Sequence, residues 1–180
     1  MNPYDVASGY MAWWEAADDE AREAGFSWYG YARGFARALA KEAGVPLSVA
    51  AGVTAVLSPR VRWAQNKGAA RTMLLDGQRP KGPIGTSIAK AERIIAGERP
   101  RDVVSGPKVS AFYRQIMGDN NATVIDTWMV QAAGLPAGYS LKPAEYEVLA
   151  EGLRIAAKCA KVPCGQFQAV VWTSIRGSSA

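Results

Sequence analysis

An all-α fold is the class this sequence predicts, and three observations predict it. Apolar residues recur at three- and four-residue spacings through most of the chain. Gly and Pro stand where helices would stop and start. Strand-like runs are nearly absent, the clearest being Thr123-Val124-Ile125. A first helix is expected over 3–24, with Pro3 near its start, apolar Tyr4, Val6, Tyr10, Met11, Trp13 and Trp14, and an acidic Asp18-Asp19-Glu20 turn. A second, over 28–43, places Tyr31, Phe35, Ala38, Leu39 and Ala43 on its inner side and stops at Gly44. Pro46 opens a third, 47–57, whose residues are almost wholly apolar, so it is expected to be buried on every side. Ser58-Pro59 ends it.

Residues 61–75 resume a helix, and Gly77 to Pro83 form a loop. The next helix, 85–96, turns Ile88, Ala91, Ile94 and Ile95 inward and closes at Gly97. Pro107 opens a helix over 107–117, and a further one begins near Asp126 after the extended 123–125 run. A loop over 135–141 leads to a long helix, 143–160, and a last one, 163–176. The tail Gly177-Ser178-Ser179-Ala180 is expected to fray. The whole amounts to about ten helices with short connections.

Composition narrows the chemistry. A 19.2 kDa chain with 49% apolar residues, 21% charged residues and a mean hydropathy of −0.08 has the material for one or two small cores. No apolar run reaches the ~20 residues of a membrane span. The start, Met1-Asn2-Pro3-Tyr4-Asp5, lacks the basic and apolar regions of a secretory signal, so a cytoplasmic setting is expected, with no membrane partner. The two cysteines, Cys159 and Cys164, are too few for an iron–sulfur cluster or a four-cysteine zinc site, and free thiols are expected. With no histidine in the chain, His-based triads and imidazole acid–base catalysis are excluded. Charge is unevenly spread: residues 58–117 carry twelve Lys/Arg against four Asp/Glu, while the flanks are acidic or neutral. Such a basic stretch suits a polyanion, or serves solubility alone.

The most informative stretch runs from Val104-Ser105-Gly106-Pro107-Lys108 to Val124-Ile125-Asp126-Thr127. A short Gly-containing turn leads into a helix whose first turn presents backbone N–H groups to a phosphate, with Lys108 beside them. Eighteen positions later Asp126 leaves a buried extended run at the start of another helix. A carboxylate there can remain ionised beside a developing cation, or serve simply as an N-cap.

Three stretches together resemble the helix-hairpin-helix DNA glycosylase superfamily, most closely its endonuclease III branch. The first is Thr54-Ala55-Val56-Leu57-Ser58 running to Asn66-Lys67-Gly68-Ala69. The second is Ile84-Gly85, then Lys90-Ala91-Glu92-Arg93-Ile94-Ile95, similar to the family's IG-x4-KAxxII helix. The third is Gly106-Pro107-Lys108 through Ile125-Asp126-Thr127, similar to the hairpin Gly-x-Lys followed by VDT at the same spacing. The chain departs from the pattern in three places. Val104 stands at the first hairpin glycine, Trp128 follows Asp126-Thr127 where His is usual, and the C-terminal four-cysteine cluster is missing, as in the family members that lack it.

The resemblance implies a two-lobed all-α fold: a central domain over 46–126, a second lobe from 1–45 and 127–180, and a cleft between them for double-stranded DNA. It implies excision of a modified or damaged base through an oxocarbenium-like transition state, with Asp126 stabilising the cation and Lys108 as the nucleophile of a bifunctional, strand-cleaving member. Ser105, Gly106 and Ser110 at the hairpin, with Asn66 and Lys67, are implied DNA contacts. Arg60, Arg62 and Trp63 stand where the family places its wedge into the duplex. Either they act there, or the arginines touch phosphate and Trp63 is core. Lys67, Arg71, Lys90 and Arg93 suit phosphate contacts or solvated faces. Gln166 and Gln168, two apart, do not share a helical face, so one is expected to read a base and the other to satisfy buried backbone. Trp13, Trp14, Trp28, Tyr29 and Tyr31 are expected to be core. No cofactor is expected beyond Na⁺ or K⁺ on hairpin carbonyls, and the chain is expected to be a monomer in a bacterial cell or phage-infected host. Two rivals stand beside this reading: a phage base-hypermodification transferase of the same fold acting on 5-substituted pyrimidines, and a non-catalytic DNA-binding module.

Overall fold

The computed structural model describes residues 1–177. Ten α-helices and no strand are present among them: α1 (Pro3–Ala16), α2 (Asp19–Ala43), α3 (Leu47–Val56), α4 (Trp63–Leu75), α5 (Gly85–Ile95), α6 (Pro100–Val103), α7 (Pro107–Met117), α8 (Thr127–Ala132), α9 (Pro143–Cys159) and α10 (Cys164–Arg176). The all-α expectation holds. The tail expected to fray lies outside the described residues beyond Gly177, which caps α10.

The helices gather into two units. Among the described residues the first takes Met1–Gly30 and 119–177, and the second is Tyr31–Gly118. The sequence reading drew its breaks at 45/46 and 126/127. The unit boundaries instead fall at 30/31, within the continuous helix α2, and at 118/119; along α2 only the charge changes, from mostly acidic before Tyr31 to mostly basic after it.

The first break between helices also differs from expectation. The helix begun at Pro3 ends at Ala16, not at residue 24, because Ala17 turns extended (ψ 124°) and Asp18 starts the next helix, its Oδ1 accepting from the Ala21 N–H at 2.8 Å. The acidic Asp18-Asp19-Glu20 run therefore opens α2, where it complements the helix dipole, rather than closing α1. Arg22 clamps the turn by donating to the Trp14 and Ala17 carbonyls, with its guanidinium 5.0 Å from the Trp14 ring centroid. Gly25 does not break α2. It lies where a Cβ would stand 2.5 Å from the Val170 Cα, so a close approach of α2 and α10 requires it.

Within the first unit, Val6, Tyr10, Met129, Leu149, Leu153, Phe167 and Val171 form the core. Trp14 stacks on Phe167 with centroids 4.8 Å apart. The run Thr123-Val124-Ile125 is extended without a strand partner. The Tyr146 hydroxyl replaces one, accepting from the Ile125 N–H and donating to the Thr123 carbonyl.

The second unit is built around α3, in which Ala50 to Val56 are all buried, as its sequence predicts. Leu39, Met73, Ile94 and Val103 pack against it. The short α6, not expected from the sequence, lays Pro100 against Gly52. Three inward assignments are corrected. Tyr31 and Ala38 are exposed, since the buried stripe of α2 is Ala32, Ala36, Leu39 and Ala40, one position later than the expected face. Ile95 is exposed at the end of α5 while Ala91 and Ile94 face the core.

Both cysteines are free, Cys159 exposed and Cys164 buried. Among the described residues no single helix is long and apolar enough to cross a membrane; one bent pair, Asp19–Ala43 with Leu47–Val56, passes by length and composition alone.

Candidate functional site

Two clusters bear on function, one in each unit. In the first unit Tyr146 pins the extended run, and the chain then delivers Asp126 to the N-cap of α8 with φ −107° and ψ −174°. One carboxylate oxygen, Oδ1, accepts from the Trp128 and Met129 N–H groups, each at 3.0 Å. That is ordinary capping. The other oxygen, Oδ2, accepts from the indole Nε1–H of Trp172 at 2.9 Å, and capping does not account for that contact. Three N–H donors, two from the backbone and one from the indole, thus orient a half-buried carboxylate. Trp172 is itself held by Trp28, 5.1 Å away between ring centroids, and by the Arg176 guanidinium, 4.6 Å from its ring.

Phenols surround the acid. Burial, and then the Asp126 charge, hold the Tyr29 and Tyr10 hydroxyls well above the ordinary phenol range. Burial pushes Tyr146 up to about 12, although the Ile125 N–H that it accepts works the other way. All three therefore remain neutral near pH 7 and contribute dipoles rather than charge. Tyr29 donates to the side-chain oxygen of Gln168, which is 3% exposed. Of the two glutamines expected to line a base pocket, Gln168 joins this cluster and Gln166 points to solvent on the other side of α10. Gln168, Trp172 and Arg176 are each four residues apart and form one stripe of α10. That spacing was present in the sequence and would have separated Gln168 from Gln166. Tyr29 and Trp28, expected to be plain core, are members of the cluster. No local pattern distinguishes them from core aromatics.

In the second unit the hairpin expected from sequence is α6, the turn Val104-Ser105-Gly106, and α7. Gly106 has φ 84°, a conformation that favours glycine, and Pro107 occupies the first turn. Val104, in place of the usual first glycine, has φ −63° and is buried, so a β-branched residue fits there without strain. Its N–H closes α6 on the Pro100 carbonyl at 2.8 Å. Lys108 and Ser110 are half-buried in the first turn of α7, and the Lys90 ammonium donates to the exposed Ser105 hydroxyl at 2.7 Å. Arg60 is exposed at φ 62°, a left-handed conformation unusual for a non-glycine residue, and Arg62 is exposed at the N-cap of α4. Trp63 is half-buried, edge-on to Phe35 at 5.6 Å and to Phe112 at 6.4 Å, with the Lys67 ammonium 5.8 Å from its ring. Of its two expected roles, this packing matches the core one. Asn66 is a correction. It is 1% exposed and donates its amide to the Thr54 carbonyl at 3.0 Å, so it ties α4 to α3 and presents nothing to a ligand.

Charge divides sharply between the units. The second carries fifteen Lys/Arg against five Asp/Glu, and the first carries six against eleven. Four of those five acids, Glu42, Glu92, Glu98 and Asp102, are engaged by arginines in exposed ion pairs, which leaves the excess of cations uncompensated within the unit. Asp126 and Lys108, the two residues expected to perform the chemistry, belong to different units.

Over residues 3–179 the sequence matches a family of unknown function, DUF7178. The chain belongs to DUF7178. No curated protein and no solved structure matches it. The match spans both units, so the Asp126 cluster and the Lys108 hairpin both lie inside the DUF7178 region. In this DUF7178 chain the oriented carboxylate can stabilise a nearby cation or accept a proton. The basic unit can neutralise a polyanion.

Proposed function

We propose that this DUF7178 protein is a DNA glycosylase of the helix-hairpin-helix type, releasing a modified or damaged base from double-stranded DNA. The observation that carries the reading is the Trp172 indole donated to Asp126 Oδ2. An N-cap needs two backbone donors. A third, brought from α10, fixes the direction of the carboxylate and serves a group that must face a developing charge. The net-positive second unit and its Gly106–Lys108 turn support a phosphate-backbone partner. In the reaction the C1′–N bond breaks and its electron pair leaves with the base. Asp126 stabilises the oxocarbenium-like sugar. The Lys108 nitrogen supplies the electron pair of the new bond to C1′, and the proton this nitrogen then sheds passes to the ring oxygen as the sugar opens to a Schiff base.

The test is incubation with a panel of modified-base duplexes, including phage DNA, followed by nucleoside mass spectrometry and borohydride trapping. Released base with a trapped protein–DNA adduct, lost in Lys108→Ala and in Asp126→Asn, is the expected result. Alkali-labile abasic sites without trapping would reassign the nucleophile to water. A mass gain on a base whose glycosidic bond is intact would overturn excision in favour of group transfer.

A further inference from the structure

The Tyr29–Gln168 pair contains an asymmetry that bears on the substrate. A carboxamide offers one acceptor oxygen and two N–H donors. In Gln168 the oxygen is already taken by the Tyr29 hydroxyl. Its amide nitrogen makes no hydrogen bond among the described residues and is not sealed from the surface, although the side chain as a whole is 3% exposed. The Tyr29 hydroxyl is the donor in this bond. With its oxygen on Tyr29, the amide turns its N–H groups away from the phenol. A nearly buried donor without a partner is costly to leave unmet, so a ligand that supplies an acceptor is strongly preferred over one that supplies another donor. The same stripe of α10 places Trp172, and through it Asp126, one turn away.

We infer that Gln168, oriented by Tyr29, selects bases that present an exocyclic carbonyl (uracil-, thymine- or hypoxanthine-type) and rejects those with an exocyclic amine at the same position. This rests on the base-excision reading for the identity of the ligand as a base. It goes beyond that reading in naming the edge that is read.

The experiment measures affinity and base release on two matched pairs of mispaired duplexes: 5-hydroxymethyluracil against 5-hydroxymethylcytosine, and hypoxanthine against adenine. The wild-type protein should favour the carbonyl member of each pair at least about tenfold. Gln168→Glu replaces the free donors by a carboxylate that accepts from an amine, and should reverse the preference. Tyr29→Phe frees the amide to flip, and should reduce the preference to about twofold or less, with thermal melts confirming that the variant is folded. If Tyr29→Phe does not fold, Gln168→Glu decides alone. A wild-type protein without preference, or with preference for the amine member, overturns the inference, as does preference unchanged in a folded Tyr29→Phe. The two readings can fail separately. Carbonyl selection in binding with no base released sinks excision and keeps the selectivity, and release without selection does the reverse.

Discussion

Asp126 combines two duties that substitutions can separate. Asp126→Asn keeps a side-chain oxygen for the cap and removes the charge, so base release is expected to disappear with little change in stability. Asp126→Ala removes the cap as well and should cost about 1 kcal/mol, read from urea denaturation. Trp172 does not touch the sugar in this scheme and is a positioning residue. Trp172→Phe keeps an aromatic ring against Trp28 and deletes the donor to Oδ2. Turnover should fall about tenfold with DNA affinity unchanged, a split that loss of packing alone would not produce. The buried phenols predict a pH dependence of a definite sign. Tyr146 is pushed up to about 12 in the folded chain from an ordinary 10.0, and Tyr10 and Tyr29 shift in the same direction. The unfolded chain therefore loses these protons first. The stability they protect is fully present below about pH 10 and is lost as pH rises through about 12, and denaturation midpoints should fall over that interval.

At the scale of the element, α2 carries the clearest test. Its glycines look alike in the sequence, all being poor helix formers. Gly25 faces Val170 with no room for a Cβ, whereas Gly34 has nothing within 4 Å. Gly34→Ala should stabilise the protein by about 0.5–1 kcal/mol through helix propensity, and Gly25→Ala should destabilise it by about 1–3 kcal/mol through overpacking. Opposite shifts in urea midpoint for the same chemical change would confirm that contact with α10, not local preference, carries α2 through residue 25. The hairpin makes a similar point in reverse. Val104, where the hairpin pattern that the sequence resembles has glycine, is harmless because that position has an ordinary φ, while Gly106 meets the positive φ of the turn.

At the scale of the whole molecule, charge is the organising property. Joining Tyr31–Gly118 as one unit raises the contrast seen along the sequence, since Arg33, Arg37 and Lys41 of α2 join the basic set. Binding to duplex DNA should weaken steeply with salt. Lys90→Ala and Lys67→Ala should each lower the slope of log affinity against log salt by about 1, and Lys142→Ala, in the acidic unit, should leave it unchanged. Fluorescence anisotropy between low and physiological salt reads these slopes directly.

Helix content, the buried α3, the turn at Gly106 and the candidacy of Asp126 were all legible from residue order, because helical period, proline and glycine stops and capping preference act over a few neighbouring positions. The break at Ala17-Asp18 was misread for the same reason: a cap and a C-terminal acidic turn look alike until Arg22 shows which carbonyls need closing. Asn66 looked like a surface contact until the Thr54 carbonyl claimed it. The Trp172–Asp126 and Tyr29–Gln168 bonds join residues 46 and 139 positions apart, and no local rule pairs them. They exist because packing brings α2, α8 and α10 together, where a polar group removed from water gains by pairing.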